Sequence, residues 1–341
     1  ITGSPVIGPA AMDCGANGGA GRKVGVIPDA GIGYIFNRDG TTCQGRDSNG
    51  RDNGLKNEGT APGQTDVVAF PALGEPAFGN FAGGVSFLAP QAGLLRALDV
   101  AAPEYQAGGQ DFVGAWDPTS SQGNYRAGFP AHMNDLQFLT GPSVGDIDGN
   151  AANEEIVGGS ASLDLQAYDG GGRPVSRWPK LTSDWTIADP LLGPWGARPH
   201  KIVVSLTRSG SMLAYDTPSD PCSPSSWPRF HHDNANSGSF DRDAVAPGTP
   251  TGLAVAGGAL SFVSPGDDLM CRPVQRYEVR RSSRPITAAN FAQAEAVTAP
   301  AVKDPGQVAR VVLPAPGKRY VAVRAVDHGG NAGPLATTIS R

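Results

Sequence analysis

The sequence predicts an all-β protein in two parts, and three observations carry that prediction. The 341-residue chain holds 47 Gly and 30 Pro, and almost no segment repeats its apolar residues at the helical period. Turn residues at that density leave room for short strands and little else. Matched segments recur through the first two thirds, and near residue 241 the texture changes to strands of another kind.

Composition sets the limits. An apolar fraction of 39% argues against wholesale disorder. The net charge is −5, with no block of Lys or Arg, which excludes nucleic acid and anionic membrane as expected partners. No apolar run approaches the ~18 residues needed to span a bilayer. The chain opens directly on the strand-like "SPVIGPA", without a leader, as a processed or internal piece of a longer precursor would.

The repeat is read from four aromatic-Pro pairs, Phe70-Pro71, Phe129-Pro130, Trp178-Pro179 and Trp227-Pro228, spaced by 59, 49 and 49 residues. Before each lies a strand-like segment ending in an aromatic and an Asp or Asn: "GYIFNRDG", "VGAWDPTS", "LQAYDGGG" and "MLAYDTPS". Short apolar segments follow the first three, "EPAFGNFAGG", "GPSVGDIDGN" and "ADPLLGPWGA", and the chain itself begins with the same element. Four antiparallel strands per unit of about 50 residues is the signature of a β-propeller blade, with a sandwich as the alternative. The Trp residues 116, 178, 185, 195 and 227 are expected between blades. Residues 44–66, nearly devoid of apolar side chains, are expected to form a mobile loop, and 98–111 an elaboration of the second blade.

"GDIDGNAANEEIVGGS" followed by "LQAYDGGGRPVSRWPK" resembles an FG-GAP/VCBS-type propeller repeat, over about residues 1–240. The resemblance implies blades of a propeller usually larger than the four visible here. It also implies Ca²⁺ in the loop between a blade's first two strands, held through a D-x-D-x-D-G-x-x-[DE] pattern. The matching positions are Asp146, Asp148 and Asn150, with Glu154 or Glu155 at the acidic position; Ala151 stands where the family has Gly. A hard cation takes 6–8 oxygens, which such a turn can aim inward. The alternative is a metal-free turn in which Asp146 and Asp148 bond the local backbone. Catalysis is disfavoured, since paired catalytic carboxylates normally come from different strands across a cleft. "FHHDN" offers His231, His232 and Asp233, read as structural because adjacent side chains on a strand point to opposite faces.

After a linker at 241–250, residues 251–341 resemble a fibronectin type III domain. "TGLAVAGGALSFV" reads as two strands about a Gly257-Gly258 turn, and "VQRYEVRRSS" as a half-buried strand. Leu313, Gly317 and Tyr320 look like that family's tyrosine corner, and Phe262 stands where it usually buries a Trp. His328 falls in the last turn and is read as exposed.

Cys14, Cys43, Cys222 and Cys271 lack the close spacing of thiolate metal sites. Two disulfides in an exported protein are expected, and of the three connectivities local order favours Cys14–Cys43 with Cys222–Cys271. The functional expectation is a secreted or cell-surface bacterial protein, non-enzymatic, with a protein or glycan ligand. A second polypeptide, or the N-terminal part of the same precursor, would complete the propeller. The alternative is an accessory C-terminal region of a secreted hydrolase whose catalytic domain lies upstream.

Overall fold

The structure, a computed structural model, describes residues 3–27, 32–60, 67–69, 74–92, 111–134, 140–151, 154–160, 162–196, 198–269, 271–314 and 317–340. The chain divides into two compact units, Ile1–Asp241 and Arg242–Arg341. Among the described residues the regular elements are strands, apart from two single 3-10 turns at Gly15–Asn17 and Phe291–Gln293. The all-β class is as predicted, and among the described residues no helix is long and apolar enough to cross a membrane.

In the first unit the four repeated blocks form four small antiparallel sheets, none closed on itself. The first is β1 (Val6–Ile7), β2 (Val24–Val26) and β3 (Tyr34–Phe36), followed by the hairpin of β4 (Glu58–Thr60) and β5 (Val67–Ala69). The second is β6 (Ala77–Phe81), β7 (Gly84–Ala92), β8 (Asp111–Trp116) and β9 (Ala131–His132). The third is β10 (Ser143–Gly145), β11 (Glu155–Ser160), β12 (Asp164–Tyr168) and β13 (Lys180–Leu181). The fourth is β14 (Leu191–Gly193), β15 (Ile202–Leu206) and β16 (Met212–Asp216). Strand order follows sequence order in each, so neighbours are joined directly.

The aromatic-Asp segments are the third strands, and their acid has a local task. In the first three sheets the chain turns back along its own third strand. Asn37 N–H donates to Thr41 O (2.7 Å), Asp117 N–H to Asn124 O (3.2 Å) and Asp169 N–H to Arg173 O (2.8 Å). Asp117 and Asp169 hold their turns by accepting the N–H two residues on, from Thr119 (2.9 Å) and Gly171 (2.8 Å). Two residues after Asp216 stands Pro218, which has no N–H to give. The chain there bends the other way: Thr217 N–H donates to Lys201 O (3.1 Å) and Lys201 N–H to Ser219 O (2.9 Å).

That reversal leaves the Trp227-Pro228 stretch ("SSWPRF") out of the fourth sheet, which has three strands and not the four of the repeat unit. Residues 224–240 run instead along the first strands of all four sheets. Val144 and Trp227 exchange backbone bonds (2.7 and 3.1 Å), Asp146 N–H donates to Pro224 O (2.9 Å) and Leu192 N–H to Pro228 O (2.8 Å). Asn80 N–H reaches Ser226 Oγ at 3.1 Å. Ile7 N–H donates to Gly238 O (2.6 Å), and Ile7 O accepts from Phe240 N–H (2.9 Å). The approach is close enough to need Gly145, whose Cβ would stand 2.4 Å from Ser225 Oγ. Trp227 is 1% exposed and joins the main core with Val6, Phe78, Phe87, Trp116, Val144 and Ile156.

Other expectations divide. Trp116 and Trp227 are buried and Trp178 half-buried, but Trp185 and Trp195 are 46% and 43% exposed. Residues 44–57 are an ordered turn, not a mobile loop: Asp47 Oδ1 accepts the N–H of Asn49 and of Arg51 (both 2.8 Å), and Leu55 is in the core. Residues 61–66, 98–110 and Phe70-Pro71 lie outside the described residues. His231 and His232 sit in a turn at φ of 49° and 71°, so the strand argument made for them does not apply.

The second unit comprises β17 (Thr251–Ala256), β18 (Ala259–Val263), β19 (Gly266–Asp268), β20 (Cys271–Pro273), β21 (Arg276–Ser282), β22 (Glu295–Val297), β23 (Val308–Val312), β24 (Tyr320–Val326) and β25 (Ala336–Ile339). Sheets β17-β18-β23 and β22-β21-β24-β25 share one core, to which Leu260, Phe262 and Val311 contribute from one side and Tyr277, Val279 and Val323 from the other. Gly257 and Gly258, at φ of 55° and 72°, make the tight turn that a two-residue hairpin demands. The Pro/Gly stretch read as a linker packs within this unit, where Asn331 Nδ2 donates to Asp243 O at 3.0 Å. Cys14 and Cys43 form a disulfide; Cys222 and Cys271 are disulfide-bonded too, and no cysteine is free.

Trp227→Ala should cost roughly 3–5 kcal/mol, since it empties a fully buried site where the sheets meet. Trp195→Ala, on the surface, should stay within about 1 kcal/mol. Denaturant unfolding of the two variants checks the contrast.

Candidate metal and ligand site

The acidic loop joins β10 to β11. Asp146 follows β10 directly and is fully buried, because the returning segment lies against it. Its Oδ1 accepts from Gly149 N–H (2.9 Å) and from Ser219 Oγ (3.0 Å). Its Oδ2 is buried, with no hydrogen-bond partner among the described residues. Glu155, at the start of β11, is buried and accepts Ile147 N–H at 2.9 Å. Asp148 is exposed and accepts from Asn150 N–H (2.9 Å) and Asn150 Nδ2 (2.8 Å). Asp146, Asp148 and Glu155 each bring a carboxylate oxygen within 4.8 Å of the others.

Of the five residues singled out in sequence, three therefore gather. Asn150 braces Asp148 with its amide. Glu154 faces elsewhere: it accepts from Asn80 N–H (3.1 Å) and from the Ser226 hydroxyl, tying β6 to the returning segment. The turn keeps its left-handed position although Gly is replaced, for Ala151 adopts φ 55°. An L-residue with a Cβ holds that conformation at a cost of about 1–2 kcal/mol.

Burial dominates the electrostatics. It pushes Glu155 up to about 8, and the charges of Asp148 and Asp146 add to the effect. Glu154 rises to about 7 by burial, against hydrogen bonds from Ser226 and Asn80 that favour its anion. The counter-charge is Lys201, 1% exposed, whose Nζ donates to Ser223 O (2.8 Å), Pro224 O (2.8 Å) and Ser225 Oγ (2.7 Å). Burial lowers it to about 8, while Asp146, Glu154, Glu155 and Asp220 pull it back up. Sequence reasoning missed Lys201. Its one signal was a lysine, among six in the chain, opening the apolar strand "KIVVSL".

The donor set fits a hard divalent cation. It offers three carboxylates, one with a buried oxygen that no protein group satisfies, on the turn that a cation loop requires. Beside it opens a cleft of about 400 Å³, lined by Arg126, Asp148, Asn150, Glu155, Asp169 and Arg173, with the backbone of Gly170 and Gly171. Arg173 pairs with Asp169 at 2.9 Å, and Arg126 Nε donates to Gly170 O at 2.8 Å. The cleft thus carries both signs of charge beside the acidic loop.

The histidine cluster is structural. His232 meets Trp227 edge-on at 5.2 Å, and its Nδ1 lies 3.5 Å from Asp233 Oδ2. Burial holds its pKa below the ordinary imidazole value. Asp233 Oδ1 accepts Ala235 N–H at 2.8 Å, closing the turn. His328 is exposed as read, with Nδ1 3.3 Å from Asp267.

No family model and no curated protein matches the chain. Among solved structures it is similar to the crystal structure of BBS1N in complex with ARL6DN, soaked with mercury. That match has 10% identity and a TM-score of 0.28, covering 94% of this chain and 75% of that one. It is also similar to the V. cholerae biofilm matrix protein Bap1, at 12% identity and a TM-score of 0.25, covering 100% of this chain and 59% of that one. Likenesses this distant carry no argument about fold or function.

Lys201→Met should destabilise by about 3–5 kcal/mol, because it strands buried carbonyls and carboxylates without their cation. Ala151→Gly should act oppositely. Relief of the left-handed cost exceeds the ~0.4–1 kcal/mol that Gly adds to unfolded-chain entropy, leaving a gain of up to about 1 kcal/mol. Equilibrium unfolding reads both signs.

Proposed function

We propose that the chain is an exported, non-enzymatic binding protein. Its first unit is a set of FG-GAP/VCBS-type propeller blades and its second a fibronectin type III-like sandwich. Asp146, Asp148 and Glu155 hold Ca²⁺, and the adjoining cleft receives a polar ligand of protein or glycan origin. The observation that carries this reading is the buried, unsatisfied Asp146 Oδ2 among three converging carboxylates, of which Asp148 and Glu155 line the cleft. When bound, Ca²⁺ supplies charge neutralisation and oxygen coordination. The chain's own part is to fix Asp146 through Ser219 and Gly149, to brace Asp148 with Asn150, and to line the adjoining cleft with Arg126 and Arg173.

Four further features support parts of the reading. Four sheets in sequence order, each with an aromatic-Asp third strand, support blades. Two sheets of three and four strands around Phe262 and Tyr277 support the sandwich. Disulfide-bonded cysteines support export. The exposed apolar side chains of the fourth sheet support a partner polypeptide that covers it.

Added Ca²⁺ should raise the melting temperature and EDTA should lower it, with Asp146→Ala abolishing the response. A ligand confined to the native state stabilises by roughly 2.7 kcal/mol at a hundredfold excess over Kd. Glycan-array and pull-down binding should depend on Ca²⁺ and weaken in Arg173→Ala. An unchanged melting point with both additives would remove the metal, and hydrolysis of a polysaccharide or peptide panel would remove the non-enzymatic reading.

A further inference from the structure

The fourth sheet ends on an uncovered strand, and we propose that β16 pairs edge to edge with β16 of a second copy of the chain. In the other three sheets the outer edge of the third strand is filled by the chain itself: Phe36 is bridged to Thr42, Trp116 to Tyr125 and Tyr168 to Pro174. Pro218 denies the fourth sheet that return. Among the described residues nothing pairs with the far side of β16.

The ladder shows which groups are left over. Thr207 N–H donates to Ser211 O (3.0 Å) and Thr217 N–H to Lys201 O (3.1 Å). Antiparallel pairs alternate between bonded and non-bonded, so Ser205–Leu213 and Val203–Tyr215 exchange bonds across β15–β16. Met212, Ala214 and Asp216 accordingly aim their N–H and C=O groups away from β15.

These groups complement themselves about Ala214. In an antiparallel pair centred there, Met212 faces Asp216 of the partner subunit, Ala214 faces its own copy, and every outward group meets an outward group. The smallest side chain sits on the two-fold axis. The two Asp216 carboxylates fall at opposite ends, each already paired with Arg198 at 2.8 Å, so like charges do not meet. β16 carries no proline, lysine or bulge, the usual guards of an exposed edge. The adjacent face is apolar as well. Thr186 and Thr207 pair and are buried, which turns Ile187 and Leu206 outward in line with Met212; these three are 58%, 44% and 58% exposed. What fits a second copy is particular to this strand: its smallest outward-bonding residue falls on the axis, its carboxylates fall at opposite ends beside their own arginines, and its apolar face continues into Leu206 and Ile187.

Sedimentation of the full chain should show the 35.0 kDa mass doubling with concentration. Ala214→Pro removes only an outward N–H and leaves the β15 ladder intact, and Met212→Lys places a charge on the edge. Each should weaken self-association by about tenfold or more, a loss of roughly 1.4 kcal/mol, with a melting temperature equal to wild type's at dilutions where both are monomeric; Met212→Lys decides the matter if the proline variant fails to fold. Ala214→Cys should form a disulfide-linked dimer, since facing Cα atoms in such a pair lie ~5.5 Å apart, whereas Ser209→Cys should not. A wild-type monomer at the highest soluble concentration overturns the proposal. So does a dimer indifferent to both edge substitutions, or one that Ala214→Cys fails to cross-link.

Discussion

Residues 224–240 hold the first unit together. Each of its four sheets has a first strand with one free edge, and those edges need partners once they turn inward from water. One returning segment supplies them all, bonding β10 through Trp227, β14 through Pro228, β6 through Ser226 and β1 through Gly238 and Phe240. The four sheets thereby share a common seam, with a buried Trp in it.

The acidic loop depends on the same seam. Pro224 O accepts from both Asp146 N–H and Lys201 Nζ, so the loop, the segment and the buried ammonium share one acceptor. Glu154 reaches the segment through Ser226, and Asp146 reaches the next sheet through Ser219. Buried ionic networks of this kind are strongly destabilised when one member is removed, because the remaining groups keep their desolvation cost. The loop's geometry is therefore set by the seam behind it as much as by its own turn.

The same economy explains the exposed side of the fourth sheet. Where Asp117 and Asp169 fold the chain back to cover their own strands, Pro218 redirects it to the seam. Closing the seam and covering β16 compete for one piece of chain, and the seam takes it.

Local chemistry was legible in the sequence. Gly and Pro density, period-two alternation and Asp-rich turns act within a few residues, so the all-β class, the third strands, the Gly257-Gly258 hairpin and the acidic turn at Asp146 and Asp148 could be read directly, while the choice between Glu154 and Glu155 could not. So could the Cys14–Cys43 bridge, from local order. What the tertiary structure decided was which distant group each backbone and charge would find: "SSWPRF" against four first strands, Lys201 beneath the acidic loop, Glu154 on Ser226 and not in the carboxylate cluster. Those choices are made by competition for buried partners across as many as 233 residues, from Ile7 to Phe240. No window of neighbouring residues contains both competitors.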